Sequence, residues 1–213
     1  NAPVAVIANP ATLTCTTLQT IINGLGSSQG ASYNYMWTGP GISGGQGTLQ
    51  PTVNLPGVYT LDIVNTANGC TDTDTVTVLQ NIVAPVAQAG PDGLINCTSP
   101  AGSVGSAGNP SGPNFTLAWT TVGGNFTSAT NGPTATINAA GTYQLFITNN
   151  TNGCTDTDDA LVVDDFVPPA VDAGPTFELN CVQTNTVLQG TGSTGANFSY
   201  LWTAGAGGNI VSG

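Results

Sequence analysis

Apolar and polar residues alternate along two matched stretches of the chain, GVYTLDIVN at 57–65 and GTYQLFITN at 141–149. In the first stretch the Tyr, Leu and Ile share one face, and the Thr and Asp share the other. A period of two in runs rich in Thr, Val and Tyr is typical of half-buried β-strands. Each stretch leads into an Asn-Gly pair and a second Thr-rich run, a pattern that indicates a β-hairpin. No segment of useful length has helical periodicity.

Three further segments of one pattern, YNYMWT, FTLAWT and FSYLWT, each place a Trp in a strand-like run, at positions 37, 119 and 202. The first two Trp residues lie 82 residues apart, and so do Cys15 and Cys97. A fixed period in independent landmarks indicates tandem modules. We therefore predict modules at 1–81, 82–166 and 167–213, of which the third holds only its first half.

Short strands, turns rich in Gly, Pro and Asn, and roughly 83 residues per module are typical of a small antiparallel β-sandwich. The fold expected is therefore all-β, with tandem immunoglobulin-like modules arranged as a rod. Two interpretations of the third module stay open. The chain is a window of a longer repeat protein, or strands from another copy complete the third sandwich.

Charge narrows the classes of function. The 213 residues include 11 Asp and Glu but no Lys, Arg or His, so the formal charge is −11. Nucleic acids and anionic lipids are bound through Lys and Arg, so neither is an expected partner. No apolar run approaches the roughly 18 residues of a membrane span. Without His, Lys or Arg the usual catalytic bases and oxyanion donors are missing, and we expect no enzyme.

The five cysteines follow the module spacing. Pairs Cys15–Cys70 and Cys97–Cys154 would close loops of 55 and 57 residues, and the recurrence favours disulfides within modules. Cys181 then requires a partner outside the chain. Disulfides indicate an oxidising compartment. Zinc is disfavoured because each module has only two Cys and the chain has no His.

Closely spaced carboxylates follow the second cysteine of each module, in NGCTDTDTVTV and NGCTDTDDALV. The residues are Asp72, Asp74, Asp156 and Asp158. An unpaired carboxylate in an apolar interior is costly, and no side-chain cation is available to pair with these. Three outcomes stay open: the carboxylates face water, accept hydrogen bonds from backbone N–H groups, or bind a cation, for which Ca²⁺ is the best match. No other cofactor is expected.

The order of a Cys-containing segment, a Trp strand, G-x-Y-x-L-x-I and N-G-C-T-D-T-D resembles the PKD-like, immunoglobulin-fold repeats of large Bacteroidetes surface proteins. Examples are gliding-motility adhesins of the SprB type, exported by the type IX secretion system. The resemblance covers the first two modules and the first half of the third. It implies an extracellular, modular protein that serves as an adhesin or stalk.

The leading functional expectation is a structural or adhesive repeat region that forms a semi-rigid stalk or filament on a bacterial surface. Its partners would be neighbouring repeats or copies of the same protein. One alternative is a carbohydrate-binding array, which would display aromatic side chains to surface glycans. The candidates are Tyr33, Tyr35, Phe115, Phe126, Phe198 and Tyr200. A second alternative is a self-assembling filament subunit completed by strand exchange.

Overall fold

A computed structural model describes residues 1–211 and shows an all-β protein, with no helix among these residues. The predicted fold class is thereby confirmed. The described residues accordingly contain no helix that could cross a membrane. The chain forms two compact units, one from Asn1 to Asp165 and one that begins at Phe166. The division into three modules stays a prediction. The names first module and second module are kept for residues 1–81 and 82–166, which lie almost wholly in the first unit.

The first module contains two small sheets that pack against each other. One sheet has the antiparallel order β3-β6-β7 and the other has the order β2-β5-β4. The short strands β1 and β8 pair in parallel at one end. The strands are β1 Leu13–Thr14, β2 Thr20–Ile21, β3 Tyr33–Thr38, β4 Ile42–Gly44, β5 Thr52–Val53, β6 Gly57–Asn65, β7 Thr71–Val78 and β8 Gln80–Asn81.

The second module repeats this arrangement with a more continuous sheet. Its order is β11-β13-β14-β9, in which β9 runs parallel to β14, and β10 pairs with β12 in the opposite layer. The strands are β9 Gly93–Asn96, β10 Gly102–Gly105, β11 Phe115–Val122, β12 Thr134–Ile137, β13 Gly141–Asn149 and β14 Thr155–Asp165.

The predicted apolar face of β6 forms the core of the first module. Tyr59, Leu61 and Ile63 are fully buried, and Trp37 of β3 packs in the same cluster. The intervening residues of β6 are not buried. The second module has the matching core of Trp119, Tyr143, Leu145 and Ile147. Alternation along each strand therefore separates core from surface as the sequence predicts.

Two side-chain features are typical of immunoglobulin domains: a buried Trp and a Tyr whose hydroxyl bonds a backbone carbonyl just upstream. The Tyr59 hydroxyl donates to the Leu55 carbonyl at 2.7 Å, and that of Tyr143 donates to the Ala139 carbonyl at 2.6 Å. Each Trp indole N–H donates to a carbonyl of the opposite side of its sandwich. Together with the strand order, these bonds define both modules as immunoglobulin-like sandwiches.

The second unit has one small antiparallel pair, β15 Val171–Asp172 with β16 Thr191–Gly192. Trp202 is 43% exposed, whereas its counterpart Trp37 is fully buried. Apolar residues line an open groove of about 920 Å³ in this unit, among them Phe198 and Tyr200. The residues that fill this space in the other modules belong to strands such as β6 and β13, and the second unit has no such strand among its described residues.

Candidate functional site: a disulfide-bonded joint between modules

Cys15 lies in a tight turn directly after β1. The Thr14 N–H donates to the Thr17 carbonyl at 2.9 Å, and the Thr14 hydroxyl accepts the N–H groups of Thr16 and Thr17. A hydroxyl that caps the next two amides is a local alternative to strand pairing. This segment, residues 13–17, is called the cysteine turn. It holds the Cys15 side chain at the surface of the first module.

Cys154 lies at the end of the hairpin turn between β13 and β14. Gly153 has φ +70°, and its N–H donates to the Asn149 carbonyl at 2.7 Å. The Asn152 side-chain oxygen accepts the Cys154 N–H at 3.0 Å. The predicted Asn-Gly hairpin is confirmed here, since glycine reaches this left-handed conformation without strain. Residues 149–154 are called the hairpin tip.

A disulfide joins the cysteine turn of the first module to the hairpin tip of the second. Cys15 and Cys154 are 139 residues apart in sequence, and their Cα atoms are 5.1 Å apart. The Cys15 N–H also donates to the Asn152 carbonyl at 3.1 Å. Cys154 and Asn152 are each 2% exposed, so the contact buries these two residues of the tip.

Asn152 anchors the tip on the connection between the modules. Its side-chain N–H₂ donates to the Asn81 side-chain oxygen and to the Val83 carbonyl, both at 2.9 Å. Asn152 is only 2% exposed, and its side chain has three hydrogen-bonding partners: the Asn81 side chain, the Val83 carbonyl and the Cys154 N–H. Disulfide and amide together bind the second module to the end of the first and to the linker.

The predicted disulfides within modules are wrong. Cys15–Cys70 and Cys97–Cys154 would each join opposite ends of a sandwich. Leu13 of β1 pairs with Gln80, at the far end of the last strand from Cys70, and Asn96 pairs with Asp165, at the far end of β14 from Cys154. At about 3.3 Å per residue these ends are roughly 35 Å apart. A disulfide needs Cα atoms within about 7 Å.

The parallel pairing of β1 with β8, and of β9 with β14, explains the error. The expectation placed the first cysteine of each module beside the hairpin turn. Because these strands run parallel, the first cysteine instead lies at the opposite end of the sandwich from the hairpin turn, next to the start of the following module. Cys70, Cys97 and Cys181 are exposed thiols without a disulfide among the described residues.

The four aspartates accept backbone hydrogen bonds from the first segment of their own module. Each carboxylate accepts one N–H group of that segment at 2.7–2.8 Å. The pairs are Asp72 with Ala5, Asp74 with Ile7, Asp156 with Ala87 and Asp158 with Ala89. Every second residue of the segment is thus fixed to the last strand by a side chain rather than by a strand ladder.

A polar side chain binds the backbone of the intervening residues of the same segments, whose N–H groups face away from the aspartates. In the first module the Ser27 hydroxyl accepts from the Val6 N–H at 2.9 Å. In the second, the Asn109 side chain accepts from the Gln88 N–H and donates to the Gln88 carbonyl. Ser27 and Asn109 are buried and lie 82 residues apart. Sequence reasoning missed both, although this module spacing could have identified them.

The structure supports the backbone outcome for the aspartates, because each carboxylate has an amide donor. Among residues 1–211, no three Cys, Asp or Glu side chains lie close enough together to form a metal site. Calcium binding at Asp72, Asp74, Asp156 and Asp158 stays a prediction, taken up in the Discussion.

The aromatic candidates for glycan contact do not form one exposed platform. Tyr33 and Tyr35 are half-buried against the first core, and Phe115 and Phe126 against the second. Phe198 and Tyr200, which are 41% and 58% exposed, lie in the second unit. Their counterparts in the first two modules pack on a core, whereas the described part of the second unit has no strand like β6 or β13 to cover them.

Comparisons with known proteins give distant structural likenesses. No family model and no curated protein matches the chain. It is similar to a fragment of the titin I-band, with 15% identity and a TM-score of 0.39 over 79% of this chain and 68% of that one. It is also similar to extracellular domains 3–5 of Drosophila OTK, with 15% identity and a TM-score of 0.35 over 76% and 62%.

A third likeness is to three N-terminal domains of the bacteriophage RB49 Highly Immunogenic Outer Capsid protein, with 12% identity and a TM-score of 0.39 over 80% of this chain and 61% of that one. The chain therefore spans about two thirds of the titin fragment and less of the other two. The immunoglobulin-like character of the two sandwiches rests on their own strand order, buried Trp and Tyr hydroxyl bonds.

Proposed function

We propose that this chain is part of an extracellular structural or adhesive repeat region that forms a semi-rigid stalk or filament. The joint between Cys15 and Cys154 is the observation that carries the proposal. A flexible tether between modules would need no bond of this kind. A disulfide, a buried Asn and a docked hairpin tip instead hold two neighbouring modules in one arrangement.

The joint also changes how tension would pass along the chain. Force applied at the two ends reaches Cys15 and crosses the disulfide to Cys154, so the residues between them carry none of it. Of the two sandwiches, the covalent path includes only residues 1–15, with β1, and the residues from Cys154 onward, with β14. Unfolding of the residues between Cys15 and Cys154, which make up most of both modules, therefore cannot lengthen the protein while the disulfide is intact. This property suits a load-bearing stalk.

Composition supports a location outside the cell. A structural disulfide forms in an oxidising compartment. The absence of Lys and Arg leaves trypsin-like proteases no site, and nucleic acid no basic surface. The absence of His, Lys and Arg also leaves no usual catalytic base or clamp, so the proposal assigns no reaction. Neighbouring repeats are the partners it requires.

Single-molecule stretching of the whole chain from its termini tests the proposal. The 139 residues closed by the disulfide would extend by up to roughly 490 Å when released, at about 3.5 Å each. We expect this length to be hidden in oxidised protein and to appear after reduction. A Cys15→Ser variant should behave as reduced protein without reductant.

Two results would count against the proposal. Equal extension before and after reduction would show that the disulfide does not shield the modules. Labelling of intact cells with an antibody to the chain should give surface signal, and signal only after the cells are opened would contradict an extracellular stalk.

A further inference from the structure

The cysteine turn occurs three times in the chain with the same hydrogen bonds. The side-chain oxygen of Asn96 accepts hydrogen bonds from the N–H groups of Thr98 and Ser99 at 3.0 and 2.9 Å. The Thr14 hydroxyl does the same for the two residues after Cys15. Asn180 accepts the N–H groups of Val182 and Gln183 at 2.8 and 2.9 Å. Cys15, Cys97 and Cys181 are therefore presented by equivalent turns, although only Cys15 is bonded.

The hairpin tip occurs twice, again with matching geometry. Gly69 has φ +76° and Gly153 has φ +70°. The Cys70 N–H donates to the Asn68 side-chain oxygen at 3.0 Å, the distance found between Cys154 and Asn152. Asn68 and Cys70 of the first tip are exposed, whereas the equivalent Asn152 and Cys154 of the second are buried in the joint.

The exposed tip already makes one bond of the joint. The Asn68 side-chain N–H₂ donates to the Asn1 carbonyl at 3.3 Å. Asn1 precedes the sequence APV, as Val83 does 82 residues later, and Val83 accepts the equivalent bond from Asn152. Among the described residues Cys70 is an exposed thiol with no cysteine turn bonded to it.

We propose that Cys97 and Cys181 are open halves of further joints, each of which accepts the Asn-Gly-Cys tip of a neighbouring repeat, and that Cys70 is such a tip. The formed joint shows which partners fit, because it bonds the cysteine turn of one module to the hairpin tip of another. It does not bond the turn and the tip of the same module to each other. One copy carries both complementary halves, so a second copy can be bonded to it. The inference rests on the joint and not on the proposed mechanical role.

The bond would form by thiol–disulfide exchange with a small disulfide such as oxidised glutathione. A Cys70 thiolate attacks one glutathione sulfur, and the mixed disulfide is then attacked by the turn thiolate of the second copy. Two protein thiols are oxidised to one disulfide, and oxidised glutathione is reduced to two glutathione thiols, which take up the two protons. The exposure of all three thiols permits this attack.

The test uses the full chain with its Cys15–Cys154 bond intact, incubated at rising protein concentration in a glutathione redox buffer. Linked peptides are identified by mass spectrometry after chymotryptic digestion without reduction. We expect covalent multimers in which Cys70 is joined to Cys97 or Cys181. Random pairing of the three thiols would leave such tip-to-turn links in the minority. Links in that random proportion, or no covalent multimers, would overturn the proposal.

A variant at the tip separates docking from simple thiol contact. Asn68→Asp keeps the oxygen that caps Cys70 but removes the N–H₂ donor that the equivalent Asn152 uses in the formed joint. We expect tip-to-turn linking to slow about five- to tenfold, the effect of one lost hydrogen bond. Thr66→Ala, in the same turn, is the matched control and should link at the unaltered rate. Equal rates for Asn68→Asp and the unaltered chain would show that the tip is not recognised.

Discussion

At the residue scale, aspartate side chains accept the backbone N–H groups that a neighbouring strand would otherwise bind. In the first segment of each module, buried or half-buried residues alternate with exposed ones, as in a strand. The N–H groups of the covered residues nevertheless bond carboxylates of the last strand. A carboxylate that accepts an N–H group gains a stronger hydrogen bond than a neutral carbonyl would. The pairs therefore need no Lys or Arg, which explains how clustered Asp residues persist in a chain without cations.

The first prediction concerns Asp156, which accepts the Ala87 N–H. Asp156→Ala would leave that N–H without its acceptor and free the first segment of the second module. We expect a loss of about 1–2 kcal/mol in the free energy of unfolding in urea. Asp159→Ala, on the same strand but fully on its exposed side, is the control and should change stability by less than about 0.5 kcal/mol. Equal losses would mean that the bond to Ala87 contributes nothing particular.

The second prediction concerns calcium at the same four aspartates. One oxygen of each carboxylate already binds an amide of the first segment, and the second oxygen of Asp74 binds the Thr75 N–H. Calcium requires six to eight oxygen ligands. We expect the melting temperature to be unchanged when a chelator is added to the purified chain. A fall in the melting temperature that added Ca²⁺ reverses would show that these carboxylates hold the ion.

The third prediction concerns alkaline stability and Tyr59. Burial raises the pKa of its hydroxyl above the usual value of about 10. The stabilisation is complete below about pH 10, where Tyr is neutral in both states. It is lost as the pH rises through the raised pKa, because the unfolded chain ionises first.

Urea unfolding between pH 9 and 11 checks this prediction. The free energy of unfolding should fall more steeply with pH for the unaltered chain than for Tyr59→Phe, which has no hydroxyl to ionise at this site. Parallel pH profiles would contradict it. The comparison uses the slopes, because Tyr59→Phe also loses the bond to the Leu55 carbonyl.

At the element scale, the hairpin tip between β13 and β14 acts as the connector. Gly153 lies against Thr16 of the cysteine turn, where a Cβ atom would be 2.9 Å from the hydroxyl oxygen and closer still to the methyl group. Gly69 occupies the same position of the first tip with a similar φ, and a Cβ atom there would meet nothing within 4 Å. The two glycines have the same backbone requirement and different neighbours.

The fourth prediction uses this pair. Gly153→Ala and Gly69→Ala should have a similar backbone cost, since both residues adopt the left-handed conformation. Only Gly153→Ala should also weaken the joint, seen as a Cys15–Cys154 disulfide that is reduced at a lower glutathione concentration. If that disulfide were equally stable in the two variants, the predicted close contact between the hairpin tip and the cysteine turn would be contradicted.

The strands and turns also show which features of the fold the sequence could predict. Alternation in β6 and β13 predicted the buried faces, and Asn-Gly predicted both hairpin turns. These signals are local, so they survive in any packing. The disulfide depended on the parallel pairing of β1 with β8, which brings together residues far apart in sequence, and no local pattern encodes that direction. The aspartate–amide bonds were one of three open outcomes for the same reason.

At the scale of the whole molecule, the joint makes two sandwiches into one unit. The loop that it closes spans 139 residues, for which the chain-entropy treatment gives about 5 kcal/mol of stabilisation. Disulfides within single modules would close much shorter loops and would leave the orientation of neighbours free. The partner of Cys15 therefore decides whether neighbouring repeats are held rigidly or are connected by a flexible linker.

Disulfide mapping tests that choice most directly. The purified chain is digested with chymotrypsin without reduction, since trypsin has no site, and the linked peptides are identified by mass spectrometry. We predict a linked pair containing Cys15 and Cys154, with Cys70, Cys97 and Cys181 recovered as free thiols from monomeric protein. Linked pairs of Cys15 with Cys70, or of Cys97 with Cys154, would contradict the joint between modules.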